Sequence, residues 1–517
     1  MTRCAAMAVG VRQAALVGLL LAGSATALAH SFDERYDLPA PLPYFVVAAA
    51  LVVALSFVVA AVFVRLSPPG RAMSHEILFG RWQSLANAGA WFCRVVALFL
   101  FGLAIASAFF GSGDPLMNFA PTLVWITWWV GLSFIAACVC NLWPVLDPWR
   151  TLFDLLDARA RRMGRREGIA LHLDYPRAFG RWPAVALLLL WSWLELVYPL
   201  ASVPARIGVA ALAWSAFTLG GMVFFGRETW QKNADVFAVY FDVLGRFAPL
   251  AVRADRRGLI ASIPGAGLLN AQDAGADDAG FVIAMLSTVL YDGLRAGGAW
   301  GVVEAAFLRA FPNLADTNGY VAGTSGLVAL WLAFLCAYRA ACWCAALLLR
   351  VEGVTAGDIA RRYAWTLVPI AVGYNIAHNF SGLLIQGQNL IPLLSDPFAL
   401  RWNLFGTAGV YPDIGLVDAK TTWYVAIAAI VAGHVAAVWL AHRIALATFG
   451  ATHTAALACA PLTVLMVAYT ALSLSVIAEP MVRFNPPPAA AAPGDRLESR
   501  AGQGFPGIDA GKGKVVT

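Results

Sequence analysis

Ten long apolar stretches dominate this sequence and restrict what it can fold into. Each is near the length, about 20 residues, that a helix needs to cross the hydrocarbon core of a bilayer. The composition agrees, since 60% of the 517 residues are hydrophobic and only 13% are charged, unlike a soluble domain. The predicted fold class is an all-α, polytopic integral membrane protein. The predicted spans are Tyr44–Val64, Ala90–Phe110, Thr122–Leu142, Pro183–Leu200, Ile207–Gly226, Phe281–Gly297, Thr324–Leu349, Ala364–Gln386, Thr422–Thr448 and Ala456–Ala478.

The two ends of the chain are predicted to lie outside this helical domain, which we place at residues 30–480. Residues 1–29 contain two arginines, an apolar run and the tripeptide Ala27-Leu28-Ala29, which is the pattern of a cleaved secretory signal peptide. Residues 481–517 are rich in Pro, Ala and Gly. Because such a composition cannot form a packed core, this tail is predicted to be disordered.

The positive charges of the loops predict the orientation. Cleavage of the signal would leave His30 outside the cytoplasm, and ten spans would return the C-terminus to the same side. The loops that are then cytoplasmic contain 21 Lys and Arg, against seven in the external segments before Phe484, as the positive-inside rule expects. We predict a protein of the bacterial inner membrane with a periplasmic N-terminus and C-terminus. Its cytoplasmic loops would be 65–89, 143–182, 227–280, 350–363 and 443–455.

Two of these loops contain amphipathic segments, TLFDLLDARARRMGRREG (151–168) and ADVFAVYFDVLGRFAPL (234–250). Both are predicted to be helices on the inner membrane surface, in contact with anionic lipid or, as the alternative, with a membrane partner protein. The sequence contains no GxxxxGK[ST] loop and no HExxH motif, so a P-loop ATPase or a zincin has no support. No feature favours nucleic acid binding.

The eighth span, AWTLVPIAVGYNIAHNFSGLLIQ, carries polar residues along one face. At about 100° per residue, Asn375, His378 and Asn379 fall within one stripe, with Tyr374 at its edge. Lipid tails cannot hydrogen-bond to these groups. The stripe must therefore face other helices or a watered cavity, and it is the best candidate for a functional site.

Three further polar residues lie within other spans: Glu195 in LLLLWSWLELVYP, Asp292 in AMLSTVLYDGLR and His434 in AIAAIVAGHVAAVWLAH. With the predicted topology, Glu195 and Asp292 lie near the outer ends of their helices, and His378 and His434 lie between the middle and the outer half of the membrane. An acidic side chain costs roughly 2.5–3.5 kcal/mol at mid-bilayer. We predict that the four converge on one cavity open to the periplasm. Each also has a structural explanation: Asp292 could pair with Arg295, Glu195 could reach water, and His434 could hydrogen-bond a neighbouring helix.

Six short segments carry a resemblance to a known family: HSFDERYDLPAPLP (30–43), ALSF (54–57), FGRETW (225–230), MLSTVLYDGL (285–294), YNIAHNF (374–380) and LIQGQ (384–388). They resemble bacterial polytopic membrane proteins labelled fenitrothion hydrolase, and the likeness covers most of the chain. It implies hydrolysis of a lipophilic organophosphate triester with release of a nitrophenol. Ser31 and Asp33 stand where glycine is common in that family.

Hydrolysis of a triester needs an electrophile on the phosphoryl oxygen and an activated water, and a divalent metal can supply both. The predicted ligands are His378 and His434 with Glu195 or Asp292, a mixed set suited to Zn, Mn or Fe. The remaining carboxylate would be the general base. Three polar side chains of the stripe would orient ligands or donate to the developing oxyanion: Tyr374, Asn375 and Asn379.

Two other functions fit the same residues. Intramembrane Glu, Asp and His form proton relays, so a proton-coupled membrane transporter is the main alternative, although no inverted repeat is evident in the sequence. A redox membrane protein is the second, with His378 and His434 as axial ligands of a haem. The separation of the two histidines should distinguish these functions.

Overall fold

The computed structural model describes residues 36–64, 74–253, 255–269, 274–316, 318–349, 351 and 353–483, with only the backbone of residues 480–483. The predicted signal peptide, His30 and the tail beyond residue 483 lie outside these ranges. Most of the described chain is helical. The helices are α1 (Leu42–Phe63), α2 (Gln83–Phe110), α3 (Phe119–Cys138), α4 (Trp143–Leu146), α5 (Pro148–Arg162), α6 (Trp182–Leu196), α7 (Pro204–Phe225), α8 (Arg227–Asn233), α9 (Val236–Gly245), α10 (Ala276–Ala296), α11 (Gly298–Ala310), α12 (Tyr320–Leu349), α13 (Ala356–Tyr363), α14 (Val368–Gln386), α15 (Leu390–Ser395), α16 (Ala419–Phe449) and α17 (Thr452–Met481).

Eight helices of the described chain are long and apolar enough to cross a membrane, which confirms the membrane class. They are α1, α2, α3, α7, α10, α12, α16 and α17, and each coincides with a predicted span. The other two predicted spans correspond to α6, which has only 15 residues, and α14, which has 19. The polar stripe lowers the hydropathy of α14, so the residues that mark the candidate site also weaken its signal as a span.

The described residues also form two small sheets that were not predicted. The first is antiparallel, with β4 between β2 and β3, and it joins the loops 65–89 and 227–280. The second is a parallel pair, β1 with β5, which brings the two ends of the described chain together. The strands are β1 (Tyr36–Asp37), β2 (Ser74–Leu78), β3 (Leu250–Val252), β4 (Gly258–Ser262) and β5 (Val482–Arg483).

Contacts between loops agree with the predicted grouping of the loops by side. The sheet of β2, β3 and β4 already links two of the loops predicted to be cytoplasmic. The other three are linked to them by side chains, so all five lie at the same end of the bundle. The contacts are Arg227 with Asp154, Arg246 over the ring of Trp365, which lies two residues beyond the loop 350–363, and Arg362 with the hydroxyl of Thr448.

The two amphipathic segments differ in where they lie. Helix α5 keeps its basic end exposed, as expected of a surface helix. Helix α9 is instead packed inside the protein, with seven of its ten residues buried, so the predicted surface position was wrong for this helix. Its apolar side chains occupy nearly every face, and a helix that is apolar all round is buried.

Two local features position the candidate site. Helix α3 is wound as a π-helix over Thr122–Gly131, a form that is frequent at functional sites. Helices α14 and α16 cross in direct backbone contact, because a Cβ on Gly373 would lie 2.4 Å from the carbonyl oxygen of Ala429 and one on Gly433 2.5 Å from that of Pro369. Small residues permit such close crossings in membranes, and this crossing sets how the polar stripe of α14 faces its neighbours.

Candidate functional site

A small cavity lies where α3, α6, α9, α10 and α14 meet. Its lining includes Glu195, Asp292, Asn375 and Asn379. Of the four residues predicted to converge on one cavity, Glu195 and Asp292 line it, whereas His378 and His434 do not. The cavity volume is about 30 Å³. Since one water needs at least about 10–15 Å³ of such space, the cavity has room for about two to three waters and is too small for an aryl phosphotriester.

Asp292 and His378 form the central contact of the site. Nε2 of His378 lies 2.8 Å from Oδ2 of Asp292, across the interface between α14 and α10. Because a carboxylate oxygen accepts, Nε2 carries the proton of this bond, and Nδ1 is the basic nitrogen of the neutral ring. Arg295, the alternative partner expected from sequence, lies over the ring of Trp300 at 5.5 Å. The carboxylate therefore orients the histidine.

Glu195 brings a second carboxyl group to the same cavity. Its Oε2 accepts a hydrogen bond of 3.2 Å from the indole of Trp129, whose ring lies 4.6 Å from that of Tyr240. Two carboxyl groups on one water-sized cavity repel each other when both are ionised. We call Glu195, Asp292 and His378 the acid–base cluster.

The two asparagines of the stripe are joined to each other. Nδ2 of Asn379 donates to Oδ1 of Asn375 at 2.8 Å. This bond leaves Nδ2 of Asn375 as a donor and Oδ1 of Asn379 as an acceptor for the cavity. They can therefore orient a water or a polar atom of a ligand beside the acid–base cluster.

Tyr374 packs behind the cavity. Its ring stacks on that of His378, with centroids 6.3 Å apart, and its buried hydroxyl has no hydrogen-bond partner in the part of the chain that the structure describes. A Cβ on Gly293 would lie 2.5 Å from this hydroxyl. Glycine beside Asp292 thus makes room for the tyrosine.

His434 lies apart from the cavity lining. Its Nδ1 bonds to the carbonyl oxygen of Ile430 at 2.8 Å, and its Nε2 has no partner among the described residues. The neighbouring Gly433 contacts Gly373 of α14. Gly373 and His378 are five residues apart, which is about 7.5 Å along the helix axis. The structure therefore separates the two histidines by depth.

The predicted metal ligands do not fit a shared ion as they are placed. Within the described ranges, no group of three or more His, Cys, Asp or Glu side chains could hold a metal. The haem alternative fits no better, because the backbones of α14 and α16 touch at Gly373 and Gly433, which leaves no room there for a macrocycle between the two histidines.

The cavity also contains residues that the sequence did not indicate. Trp129 and Tyr240 come from α3 and α9, and neither stands out in a chain with 19 Trp and 13 Tyr. The adjacent pair Trp128–Trp129 in mid-span is the one weak signal. Ser192 and Thr288 complete the polar lining, and the sequence itself places each of them about one helical turn before its carboxylate.

Comparison of the chain with protein-family models, with characterised proteins and with solved structures finds no match.

Proposed function

We propose that the acid–base cluster activates water within the membrane and that the protein hydrolyses lipophilic organophosphate triesters. The observation that carries the acid–base role is the 2.8 Å contact between Asp292 and His378 beside a water-sized cavity that Glu195 also lines. The choice of a triester substrate rests on the segments that resemble the fenitrothion hydrolase family.

In this reaction His378 is the general base. Asp292 fixes the ring and stabilises the imidazolium that forms when Nδ1 takes a proton from the attacking water. Hydroxide attacks phosphorus, and the aryl oxygen leaves as a nitrophenolate. Asn375 and Asn379 orient the water or donate to the phosphoryl oxygen, and Glu195 is the second group of the site that can hold a proton.

A triester reaches this site only if the helices around the cavity separate, because the cavity itself has room for water alone. A lipophilic substrate would arrive from the bilayer, the partner that the apolar helices imply. Assistance by Zn, Mn or Fe, expected from the sequence, would require His434 to join the cluster. Because these ligands are not assembled, every step of the reaction runs through the protein's own side chains.

A second candidate is proton-coupled transport. It is favoured by two carboxyl groups on one cavity of about 30 Å³, one of which also contacts the imidazole of His378, since intramembrane Asp, Glu and His commonly relay protons. In this function the cluster would exchange protons with water and no ester would be cleaved.

We further propose the finer topology: ten spans that include α6 and α14, in the bacterial inner membrane, with both termini periplasmic. The basic loops grouped at one end of the bundle support it. Reporter fusions after Arg165 and Arg256 should report cytoplasm, and a fusion after Pro412 should report periplasm. A periplasmic signal after Arg165 would overturn this orientation.

The two candidate functions separate in one preparation. Purified protein in lipid nanodiscs is mixed with an aryl dialkyl phosphate, and nitrophenol release is followed by absorbance. The hydrolase predicts turnover that His378→Gln abolishes, whereas His453→Gln, an exposed histidine at the start of α17, retains it. Absence of turnover, together with pH-gradient-driven uptake into proteoliposomes, would establish the transporter instead.

A further inference from the structure

Of the buried polar side-chain atoms that have no partner among the described residues, two belong to the neighbours of Gly373 and Gly433 at the crossing of α14 and α16. They are the hydroxyl of Tyr374 and Nε2 of His434, and each side chain belongs to a residue that is only 1% exposed. A buried donor or acceptor without a partner is unfavourable, and native proteins usually satisfy such groups with internal water. These two unpaired atoms therefore indicate internal water between His434 and the acid–base cluster.

The hydrogen bond at Nδ1 fixes the chemical character of His434. The carbonyl oxygen of Ile430, 2.8 Å away, can only accept, so Nδ1 carries the proton. In the neutral ring, Nε2 is then a bare lone pair. This atom is a proton acceptor with no donor among the described residues.

Tyr469 lies beside one of the two unpaired groups. Its ring is 5.7 Å from that of His434, and its hydroxyl is 3.5 Å from the carbonyl oxygen of Leu286, longer than the usual length of about 2.5–3.0 Å for such a bond. A hydroxyl held so weakly can turn to another partner. Leu286 and Asp292 are six residues apart on α10, which is about 9 Å along the helix.

Tyr374 lies nearer the cavity, in contact with residues of α10 and α14. Its ring stacks on His378, and its hydroxyl packs against Gly293, the residue after Asp292. The groups that face this region are thus Asp292 from α10, Tyr374 and His378 from α14, and Tyr469 from α17. None of the ion pairs of the described chain other than that of Asp292 with His378 involves these residues.

We propose that Nε2 of His434 is a second proton-accepting site, connected to Asp292 and His378 by internal water and by the hydroxyls of Tyr374 and Tyr469. The inference rests on the proposed acid–base role of the cluster. A proton leaves the imidazolium of His378, each bridging oxygen accepts one proton and passes one on, and His434 becomes an imidazolium. The positive charge thus moves from His378 to His434 and the total charge is unchanged, while Nδ1–H of His434 still donates to Ile430.

Deuterium exchange at His434 tests the path. Full-length protein with ¹⁵N-labelled histidine is placed in bilayers and transferred to deuterated buffer, and solid-state NMR follows the ring N–H of His434, identified by its loss in His434→Gln. Exchange at Nδ1 proceeds through the imidazolium, so it reports protonation of Nε2. We expect exchange within minutes in the wild type.

Variants locate the route. Tyr374→Phe and Asp292→Asn should slow exchange about tenfold or more, because each removes a hydrogen-bonding group from the path. Tyr469→Phe gives an independent test if Tyr374→Phe does not fold. Tyr363→Phe is the matched control, since this buried tyrosine contacts Cys459 at 3.8 Å instead, and its rate should equal that of the wild type.

Two results would overturn the inference: a ring N–H of His434 that persists for days in the wild type, or equal exchange rates in the wild type, Tyr374→Phe and Asp292→Asn. Hydrolysis and uptake are measured on the same samples. If the ring N–H of His434 exchanges and the variants slow it, but neither hydrolysis nor uptake is detected, the proposed function is refuted and the proton path stands. If the protein hydrolyses the ester while the ring N–H of His434 does not exchange, the path is refuted and the function stands.

Discussion

Buried acids occur in two regions of this protein, and they are paired very differently. Near the predicted cytoplasmic end, Asp147 and Asp235 are 1% and 0% exposed. Each caps a helix: Oδ1 of Asp147 accepts from the backbone of Trp149 and Arg150 at the start of α5, and Asp235 does the same for α9. Oδ2 of Asp147 accepts a hydrogen bond from the side-chain amide of Gln231, and Oδ2 of Asp235 accepts one from the hydroxyl of Thr218.

In the acid–base cluster, by contrast, few hydrogen bonds hold the carboxyl groups. Among the described residues, the partner of the Asp292 carboxylate is the ring of His378, that of Glu195 is the indole N–H of Trp129, and both carboxyl groups line a cavity with room for water. Burial of an acid is therefore a poor indicator of function by itself. The number of fixed partners distinguishes a structural carboxylate from one that is free to exchange protons.

The largest expected effect separates the two regions by activity. Asp292→Asn should reduce turnover by about 10²–10⁴-fold, the usual contribution of a general base and the group that orients it. Asp235→Asn keeps an oxygen for the cap of α9 and should retain turnover. The rates are measured in nanodiscs with an aryl dialkyl phosphate. An equal loss of turnover in the two variants would refute the conclusion that Asp292 acts in the reaction whereas Asp235 only caps a helix.

The second effect concerns the crossing that positions the polar stripe. Gly433→Ala places a methyl group 2.5 Å from the carbonyl oxygen of Pro369, and overpacking of this kind costs about 1–3 kcal/mol. We expect a lower unfolding temperature and weaker activity, because His378 shifts with α14. Gly382→Ala is the control, since nothing lies within 4 Å of that added atom. Unfolding is followed by tryptophan fluorescence.

The third effect tests the caps directly. Asp235→Ala removes two bonds to the start of α9 and leaves the hydroxyl of Thr218 without its acceptor. Loss of an N-cap costs about 0.5–2 kcal/mol. The unfolding temperature should fall while the turnover of the remaining folded protein is retained. A variant as stable as the wild type would show that the cap contributes nothing.

The last expected effect is a pH dependence of stability, which leaves the fold and the site unchanged. Burial, and then the charge of Asp235, raise the pKa of Asp147 to about 7. A carboxyl group whose pKa is raised on folding destabilises the folded state once it ionises, so the penalty is absent below the unfolded pKa of about 4 and grows up to pH 7. The unfolding temperature should therefore fall by a few degrees between pH 5 and 8, and Asp147→Asn should flatten this slope.

Much of the architecture could be predicted because the signals are local. Apolar runs predicted the spans, and a polar stripe on α14 predicted the cavity side of that helix, since hydropathy and the helical period are properties of neighbouring residues. The basic loops predicted which loops share one end of the bundle, and the contacts of Arg362 and Arg246 agree.

What the sequence alone determined is the membrane class, the polar face of α14 and the short set of residues from which a site could be built. Only the tertiary structure decided that Asp292 pairs with His378 and not Arg295, that Trp129 holds Glu195, and that His434 lies at another depth. The reason is physical: side chains from helices far apart in sequence meet according to how closely the helices cross. In this protein that is set by Gly373 and Gly433 and by the π-helical turn of α3.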